Sequence, residues 1–206
     1  MAVALSERQA AKREQIAVAA RKLFLELGYA GTSIDAVSAE ASVSKQTLYT
    51  YFPAKVDLLK AILEGELVRL TLEGPLPDPQ TLADLRGVLV QVASRLTQTL
   101  LHPDSMALIR LVLGEAFRIP ELRGTVRQAL PMRALQGIAA MVERADELGL
   151  IEAPDTDLTA RMLLGPIMTY VALDGFLTTE QDVKPPSTEK LEQMVDAFLV
   201  MVAVSP

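Results

Sequence analysis

The chain has 206 residues, half of them apolar and 22 % charged, a mixture that excludes a disordered or collagen-like protein. It contains no Cys, one His (His102) and no nucleophile-elbow sequence, so we expect no disulfide, no metal site, no cofactor and no enzymatic activity. The formal net charge is −6, which argues against general nucleic-acid affinity, but residues 1–65 carry eight Lys or Arg against seven Asp or Glu, while residues 66–206 carry twelve against nineteen. Only the N-terminal third is therefore suited to approach a phosphate backbone.

The apolar content does not come from a membrane span. The longest apolar stretches, 162–173 and 197–204, are shorter than the roughly 20 residues that a bilayer needs. The N-terminus becomes charged at once and lacks the apolar segment of a signal peptide. We therefore expect a soluble, cytoplasmic protein with no membrane partner, and apolar surface that a second subunit covers.

The N-terminal segment predicts two long helices. In the first, apolar side chains repeat at three- and four-residue steps over 16–27, and Gly28 follows as a residue suited to end a helix. The second runs from about residue 55 to 73 with an apolar face of its own. The proline-rich stretch 74–79 cannot continue it and is typical of a connection.

The stretch 32–52, between these two helices, is the most informative part of the chain. A Ser or Thr caps a short helix, a break follows at Ser42-Val43, and Ser44 caps a second short helix that Pro53 ends. Two short helices joined by a tight break form a helix-turn-helix, whose second helix enters the major groove of DNA.

The second short helix carries an exposed polar face. With Leu48 and Phe52 turned towards the core, Gln46 and Thr50 lie about 200° away on the helical wheel, where they offer donors and acceptors to base edges. Lys55 begins the next helix, whose N-terminal amides also favour an anion such as a phosphate. The alternative is an ordinary solvated helix end, because short helical pairs of this kind are common.

Beyond the proline-rich stretch every segment again has helical spacing. Prolines and Gly149 divide it into helices near 80–101, 104–117, 120–129, 131–148, 156–174 and 188–203. Pro166 lies inside one of these helices and predicts a kink. No segment shows sustained period-two alternation, so we predict an all-α protein without a sheet.

The order and spacing of several N-terminal motifs hold over about fifty residues. They are Ile16-Ala17-Val18-Ala19-Ala20, Leu23-Phe24, Gly28-Tyr29, Thr32-Ser33-Ile34, Val43-Ser44-Lys45-Gln46-Thr47-Leu48-Tyr49-Thr50-Tyr51-Phe52 and Lys55. This pattern resembles the DNA-binding domain of the tetracycline-repressor (TetR) family of transcriptional regulators, and the resemblance is close over about residues 10–65. The remainder is similar in plan only, as a helical ligand-binding and dimerisation domain, which implies domains at 1–54 and 55–206.

The resemblance implies a ligand-responsive, dimeric regulator, most often a repressor that a small hydrophobic molecule releases from a palindromic operator in double-stranded DNA. An architectural DNA-binding factor of the same fold, without an effector, is the alternative. The resemblance also implies the DNA contacts. Base contacts would come from Lys45, Gln46 and Thr50, and phosphate contacts from Thr32 or Ser33, Ser44, Thr47, Tyr49, Tyr51 and Lys55. For Tyr51 a packed position in the core is equally compatible with the spacing.

Two positions depart from the family pattern. The family usually places Gly at the turn, where this chain has Ser42, and a left-handed backbone there would cost Ser about 1 kcal/mol relative to Gly. Gln46 stands where the family often has Gly. A larger polar side chain at that position can contact bases directly, so the operator sequence does not carry over from the family.

The C-terminal part predicts two binding surfaces. Its leucine- and methionine-rich helices favour a pocket for a hydrophobic molecule, with core packing as the alternative. The candidate lining residues are Leu108, Val112, Glu115, Met132, Met141, Met162 and Met168. The last two long helices carry more apolar residues than one buried face needs, which favours a four-helix bundle with a second copy over packing within the chain. The candidate interface residues are Met162, Ile167, Tyr170, Leu191, Met194, Val195, Phe198, Leu199 and Val202.

Overall fold

The computed structural model describes residues 7–70, 77–128, 132–178 and 183–204, with 66–70 as backbone only. In these ranges the regular elements are helical and no strand occurs, which confirms the all-α prediction. The helices are α1 (Glu7–Gly31), α2 (Ile34–Glu40), α3 (Lys45–Tyr51), α4 (Lys55–Leu70), α5 (Leu82–Leu100), α6 (Pro103–Ala116), α7 (Pro120–Arg127), α8 (Arg133–Glu147), α9 (Thr156–Tyr170) and α10 (Thr188–Met201). The predicted end of the fourth helix at Glu73 and the break at 130–131 lie outside the described residues.

Local sequence signals set most of the helix ends. Asp155 and Ser187 cap α9 and α10 through their side chains, which accept hydrogen bonds from backbone amides. At α5 the cap is reciprocal, because Thr81 accepts from the Asp84 amide and the Asp84 carboxylate accepts from the Thr81 amide. Pro120 occupies the first turn of α7, where its missing N–H costs nothing.

The chain packs as two compact units. The first contains residues 7–68 and 107–128 of the described chain, and the second contains the remaining described residues. This division reflects packing alone. The prediction of a DNA-binding domain at 1–54 and a ligand-binding and dimerisation domain at 55–206 stays a prediction.

The core of the first unit fixes the position of α3. Phe24 of α1, Val37 of α2, Leu48 of α3 and Leu58 of α4 are fully buried in one apolar cluster. Four residues of α6 and α7 complete the same cluster: Leu108, Val112, Ala116 and Leu122. Removing this apolar surface from water is the main force that holds the short helices α2 and α3, because helices of seven residues are not stable alone.

The second unit is built from α5, α8, α9 and α10, whose apolar faces share a core. Ion pairs on its surface include Arg86 with Asp196 at 2.5 Å and Arg144 with Asp78 at 3.0 Å. The helix predicted over 156–174 is not uniform, because α9 passes into a π-helical segment at Val171–Phe176. None of the described helices has the length and apolarity to cross a membrane.

Candidate nucleic-acid interface

The turn between α2 and α3 is a Schellman motif. The Val43 amide donates to the Ser38 carbonyl and the Ser42 amide donates to the Ala39 carbonyl, both at 3.0 Å. Ser42 has φ 51°, so the left-handed backbone that a glycine would adopt more easily is present at this position. Val43 packs against the core of the unit, which fixes the direction in which α3 leaves the turn.

Two serine caps begin the two helices of the motif, as the sequence predicted. Ser33 accepts from the Ala36 amide at 3.1 Å, and Ser44 accepts from the Thr47 amide at 3.0 Å. The Ser44 and Thr47 hydroxyls lie 2.8 Å apart and share a hydrogen bond. Both serines are exposed, so their hydroxyls remain accessible to a phosphate while they cap the helices.

One face of α3 is exposed and polar. Leu48 and Phe52 are buried, while Lys45, Gln46 and Thr50 are exposed. The Thr50 hydroxyl donates to the Gln46 carbonyl at 2.9 Å, so its oxygen can still accept a hydrogen bond. Tyr49 lies beside them and is 43 % exposed. The face thus has the side chains that the wheel predicted, in an arrangement suited to base edges.

Three of the predicted phosphate contacts are less accessible. Thr32 is 2 % exposed, and its hydroxyl lies within 3.0 Å of the Leu23 and Gly28 carbonyls, so its role is to fix the end of α1. Of the pair Thr32 or Ser33, the exposed member is therefore Ser33. Thr47 and Tyr51 are half-buried, and the Tyr51 ring packs against the apolar core, which agrees with the alternative left open for it.

Lys55 is turned inward. Its ammonium donates to the Tyr29 carbonyl and lies 4.4 Å from the centre of the Tyr29 ring and 5.9 Å from that of Phe24. Burial lowers the pKa of Lys55, and the nearby carboxylate of Glu115 opposes that change. A phosphate contact from Lys55 requires that the side chain leave the Tyr29 carbonyl or share its hydrogen bonds.

One charged neighbour of α3 could not be predicted from the sequence. The carboxylate of Asp35, in the first turn of α2, lies 2.8 Å from the Lys45 ammonium. This contact, first through its hydrogen bond and then through its charge, raises the pKa of Lys45. The pair is ten residues apart and depends on the geometry of the turn, so no local spacing rule could have found it.

The residues predicted to line a ligand pocket are divided between the two units. Leu108 and Val112 are buried in the core of the first unit, and Glu115 lies on the same helix. Met132, Met141, Met162 and Met168 belong to the second unit, where the last three pack, half-buried, against its core. The periodicity of α6 could not reveal which core its apolar face joins.

An apolar cavity of about 160 Å³ lies in the second unit, and its lining comes mainly from α9 and α10. Met162, Pro166, Met194, Ala197 and Met201 are among its lining residues. Of the predicted pocket residues only Met162 contacts it.

The predicted dimer residues need a correction. Six of them are buried inside the chain's own core, at 8 % exposure or less: Ile167, Leu191, Val195, Phe198, Leu199 and Val202. They cannot serve as contacts to a second copy, because packing within the chain already covers them. Met162, Tyr170 and Met194 are half-buried and remain accessible. Helical spacing shows that α10 is rich in apolar residues, but it does not show which of them the chain's own core covers.

In the part of the chain that the structure describes, no group of three or more His, Cys, Asp or Glu residues is arranged to hold a metal ion. Asp155 accepts from the Leu158 amide at 2.9 Å and Asp157 pairs with Arg161 at 2.7 Å.

Comparison with known proteins identifies both parts of the chain. Residues 16–62 match the model "Bacterial regulatory proteins, tetR family", and residues 87–203 match "AefR-like transcriptional repressor, C-terminal domain". The HTH-type transcriptional repressor SCO4008 of Streptomyces coelicolor is 30 % identical over 148 residues, which cover 70 % of this chain and 72 % of that protein. The HTH-type transcriptional activator FasR of Mycolicibacterium smegmatis is 36 % identical over 59 residues, 29 % of this chain and 27 % of that protein.

Solved structures share the fold over nearly the whole chain. The Flavonoid-responsive Regulator FrrA has a TM-score of 0.77 at 27 % identity, covering 96 % of this chain and 100 % of that one. A TetR-family transcriptional regulator from Mesorhizobium loti has a TM-score of 0.69 at 26 % identity, with 97 % and 100 % covered.

Proposed function

The chain belongs to the TetR family of transcriptional regulators, and we propose that it is a ligand-responsive, dimeric repressor that a small hydrophobic molecule releases from a palindromic operator. The family consists of regulators that bind DNA and usually act as dimers, and that are generally not enzymes. A regulator of this kind acts where the chromosome is, so a cytoplasmic location is part of the proposal.

The observation that carries the proposal is the exposed polar face of α3. Lys45, Gln46 and Thr50 stand on a short helix whose opposite face is buried, so their backbone positions are fixed before DNA binds. Base contacts then come from these three residues. The two cap serines, Ser33 and Ser44, with Thr47 and Tyr49, supply phosphate contacts. Lys55 adds one when its ammonium leaves the Tyr29 carbonyl or shares its hydrogen bonds with a phosphate.

A dimer through α9 and α10 is supported by apolar side chains that stay accessible on both helices. On α9 and the π-helical segment they recur every three or four residues at Leu158, Met162, Pro166, Tyr170 and Leu173. On α10 and just beyond its end they recur at Met194, Ala197, Met201 and Val204. These two stripes border the apolar cavity, and a second copy packed against them would form a four-helix bundle.

A hydrophobic effector is supported by the composition of the second unit. Its core is aliphatic, and the half-buried Met141, Met162 and Met168 pack against it with flexible, polarisable side chains that suit an adaptable site. FrrA, whose structure shares this fold, is described as flavonoid-responsive. The effector can lower DNA affinity only if it binds the DNA-free state of the dimer more tightly than the DNA-bound state. The size of the effect is limited by the difference between these two affinities.

The experiment that tests the function is selection of DNA by the purified protein from a random-sequence pool, followed by footprinting on the DNA that flanks its own gene. We expect one palindromic sequence to be enriched and protected. A thermal-shift screen with hydrophobic molecules then gives stabilising ligands, which should also release the selected DNA. If the protein protects a DNA site and no stabilising ligand reverses this protection, the architectural alternative is favoured. If no sequence is enriched, the protein does not recognise a DNA sequence.

A further inference from the structure

A carboxylate lies on the surface that the proposed function assigns to DNA. Asp35 is in the first turn of α2 and its side chain is 73 % exposed, and Lys45 is the first residue of α3 with its side chain 53 % exposed. The Lys45 ammonium and the Asp35 carboxylate are 2.8 Å apart. A negative charge at this place repels the DNA phosphates. It therefore lowers the affinity for DNA of any sequence, unless the carboxylate also has a favourable role in recognition.

We propose that Asp35 is a positioning residue for sequence recognition: it holds Lys45 for contact with a base and keeps that lysine from binding phosphates of arbitrary sequence. The inference rests on the proposed DNA-binding function. It adds a residue outside the recognition helix that sets the ratio of operator binding to non-specific binding.

The chemistry of the ammonium group gives the reason. It has three donors, one of which Asp35 occupies, so two remain for acceptors such as the O6 and N7 atoms of a guanine. A long lysine side chain has many conformations, and a fixed partner restricts them before DNA binds. On an operator, Lys45 keeps its partner and gains base contacts.

Non-specific DNA offers Lys45 only phosphates. To bind a phosphate, the Lys45 ammonium has to leave Asp35, or the Asp35 carboxylate has to move with it towards the phosphate. Either change reduces the electrostatic free energy gained from the phosphate contact. The pair therefore weakens binding to arbitrary sequences more than binding to the operator. Because both residues are exposed, the pair contributes little to the stability of the fold.

The test replaces the carboxylate by an amide of the same shape. Asp35→Asn and the unmodified protein are titrated, over a range of salt concentrations, with the duplex selected from the random pool and with a scrambled duplex of equal length. We expect the variant to bind the scrambled duplex about three- to tenfold more tightly, with a salt slope steeper by about one for each subunit. The ratio of the two affinities should fall, while the melting temperature stays the same.

Glu40→Gln is the matched control. Glu40 of α2 forms an ion pair with Lys22 of α1 at 2.7 Å, in the same unit. This variant therefore also removes one exposed carboxylate that is paired with a lysine. We expect it to leave the affinity ratio unchanged. An equal fall in both variants would overturn the inference, because the effect would then come from net charge alone.

A second comparison tests whether Asp35 acts through Lys45. In the Lys45→Met background, Asp35→Asn should no longer lower the affinity ratio, and a persisting fall would overturn the positioning role. The same titrations distinguish a failure of this inference from a failure of the proposed function. If one sequence is selected but Asp35→Asn leaves the ratio of operator to scrambled affinity unchanged, the inference is wrong and the proposed function stands. If no sequence is enriched, both the proposed function and the inference are wrong.

Discussion

Ser42 occupies the one described non-glycine position with a positive φ, at the turn that aims the recognition helix. An L side chain in this conformation brings its Cβ close to the backbone, which costs about 1 kcal/mol. The hydrogen bonds of the turn and the burial around Val43 offset that cost.

Replacing Ser42 by glycine should therefore stabilise the protein. We expect Ser42→Gly to raise the free energy of unfolding by about 1 kcal/mol or slightly less, because glycine also gains entropy in the unfolded chain. Urea unfolding measures the change. Ser42→Ala is the control, since it keeps a Cβ at φ 51° and should give no gain. Equal gains from both variants would contradict a strained backbone.

Tyr29 provides a test at alkaline pH. Burial, and next the negative charges of Glu115, Asp57 and Glu121, raise the pKa of its phenol above the ordinary 10.0. The folded protein therefore keeps this proton where the unfolded chain loses it. The contribution of Tyr29 to stability is complete below pH 10 and is lost as the pH rises through the folded-state pKa.

We expect Tyr29→Phe to remove this part of the alkaline loss of stability. The measurement is the free energy of unfolding of both proteins from pH 8 to 11, with Tyr49→Phe as the control on an exposed ring. The same slope in Tyr29→Phe and in the unmodified protein would show that the phenol does not titrate differently on folding.

Local sequence patterns predict the burial of a side chain well where its position on a helix face determines it. They predict it poorly where the side chain binds a partner that is distant in the sequence. Leu48 and Phe52 are buried and Gln46 is exposed, as the wheel requires. The inward position of Lys55 could not be predicted, because the Tyr29 carbonyl it binds is 26 residues away. Likewise the burial of Thr32 depends on how α1 ends.

At the scale of elements, α9 departs from a regular helix at Val171–Phe176, where the backbone becomes π-helical. The sequence predicted one continuous helix because apolar spacing alone does not distinguish the two. Gly175 is in close packing here: a Cβ built on it would lie 2.4 Å from a Leu101 methyl and 3.5 Å from the Met106 sulfur. Leu101 is itself 2 % exposed and has little room to move.

Gly175→Ala should destabilise the second unit by about 1–3 kcal/mol, the usual cost of overpacking. Gly165→Ala, in α9, is the matched control, because nothing lies within 4 Å of its added Cβ and alanine favours a helix. Thermal unfolding should lower the melting temperature of the first variant and maintain or raise that of the second. Adding Leu101→Ala should recover part of the loss that Gly175→Ala causes, and no such coupling would refute the proposed clash.

At the scale of the whole molecule, the pattern of burial on α10 decides how the dimer is tested. Phe198 and Leu199 are core residues, so a charge at either would unfold the chain and reveal nothing about assembly. Met201 is 58 % exposed and borders the apolar cavity, so a charge there leaves the fold intact. The number of apolar residues on α10 pointed to a dimer, but only the packing shows which ones remain accessible.

We expect Met201→Glu to shift the protein from dimer to monomer while its helical content stays the same. The physical reason is the cost of placing a carboxylate in an apolar interface. Sedimentation at micromolar concentration measures the mass. Gln193→Glu is the control, because it introduces the same carboxylate at another exposed position of α10. A monomeric mass for the unmodified protein would contradict the dimer.

We propose that α3 recognises the DNA sequence while the start of α4 positions the protein on the DNA backbone. The measurement that tests this division of roles is the salt dependence of binding to the selected duplex and to a scrambled one, for Gln46→Ala and Lys55→Ala. Gln46→Ala should cost about 1–3 kcal/mol on the selected duplex, at mirrored positions of the palindrome, and leave scrambled binding nearly intact. Lys55→Ala should weaken both by a similar factor and lower the salt slope by about one. Equal weakening of binding to both duplexes by Gln46→Ala, with a changed base preference in Lys55→Ala, would contradict this assignment of roles.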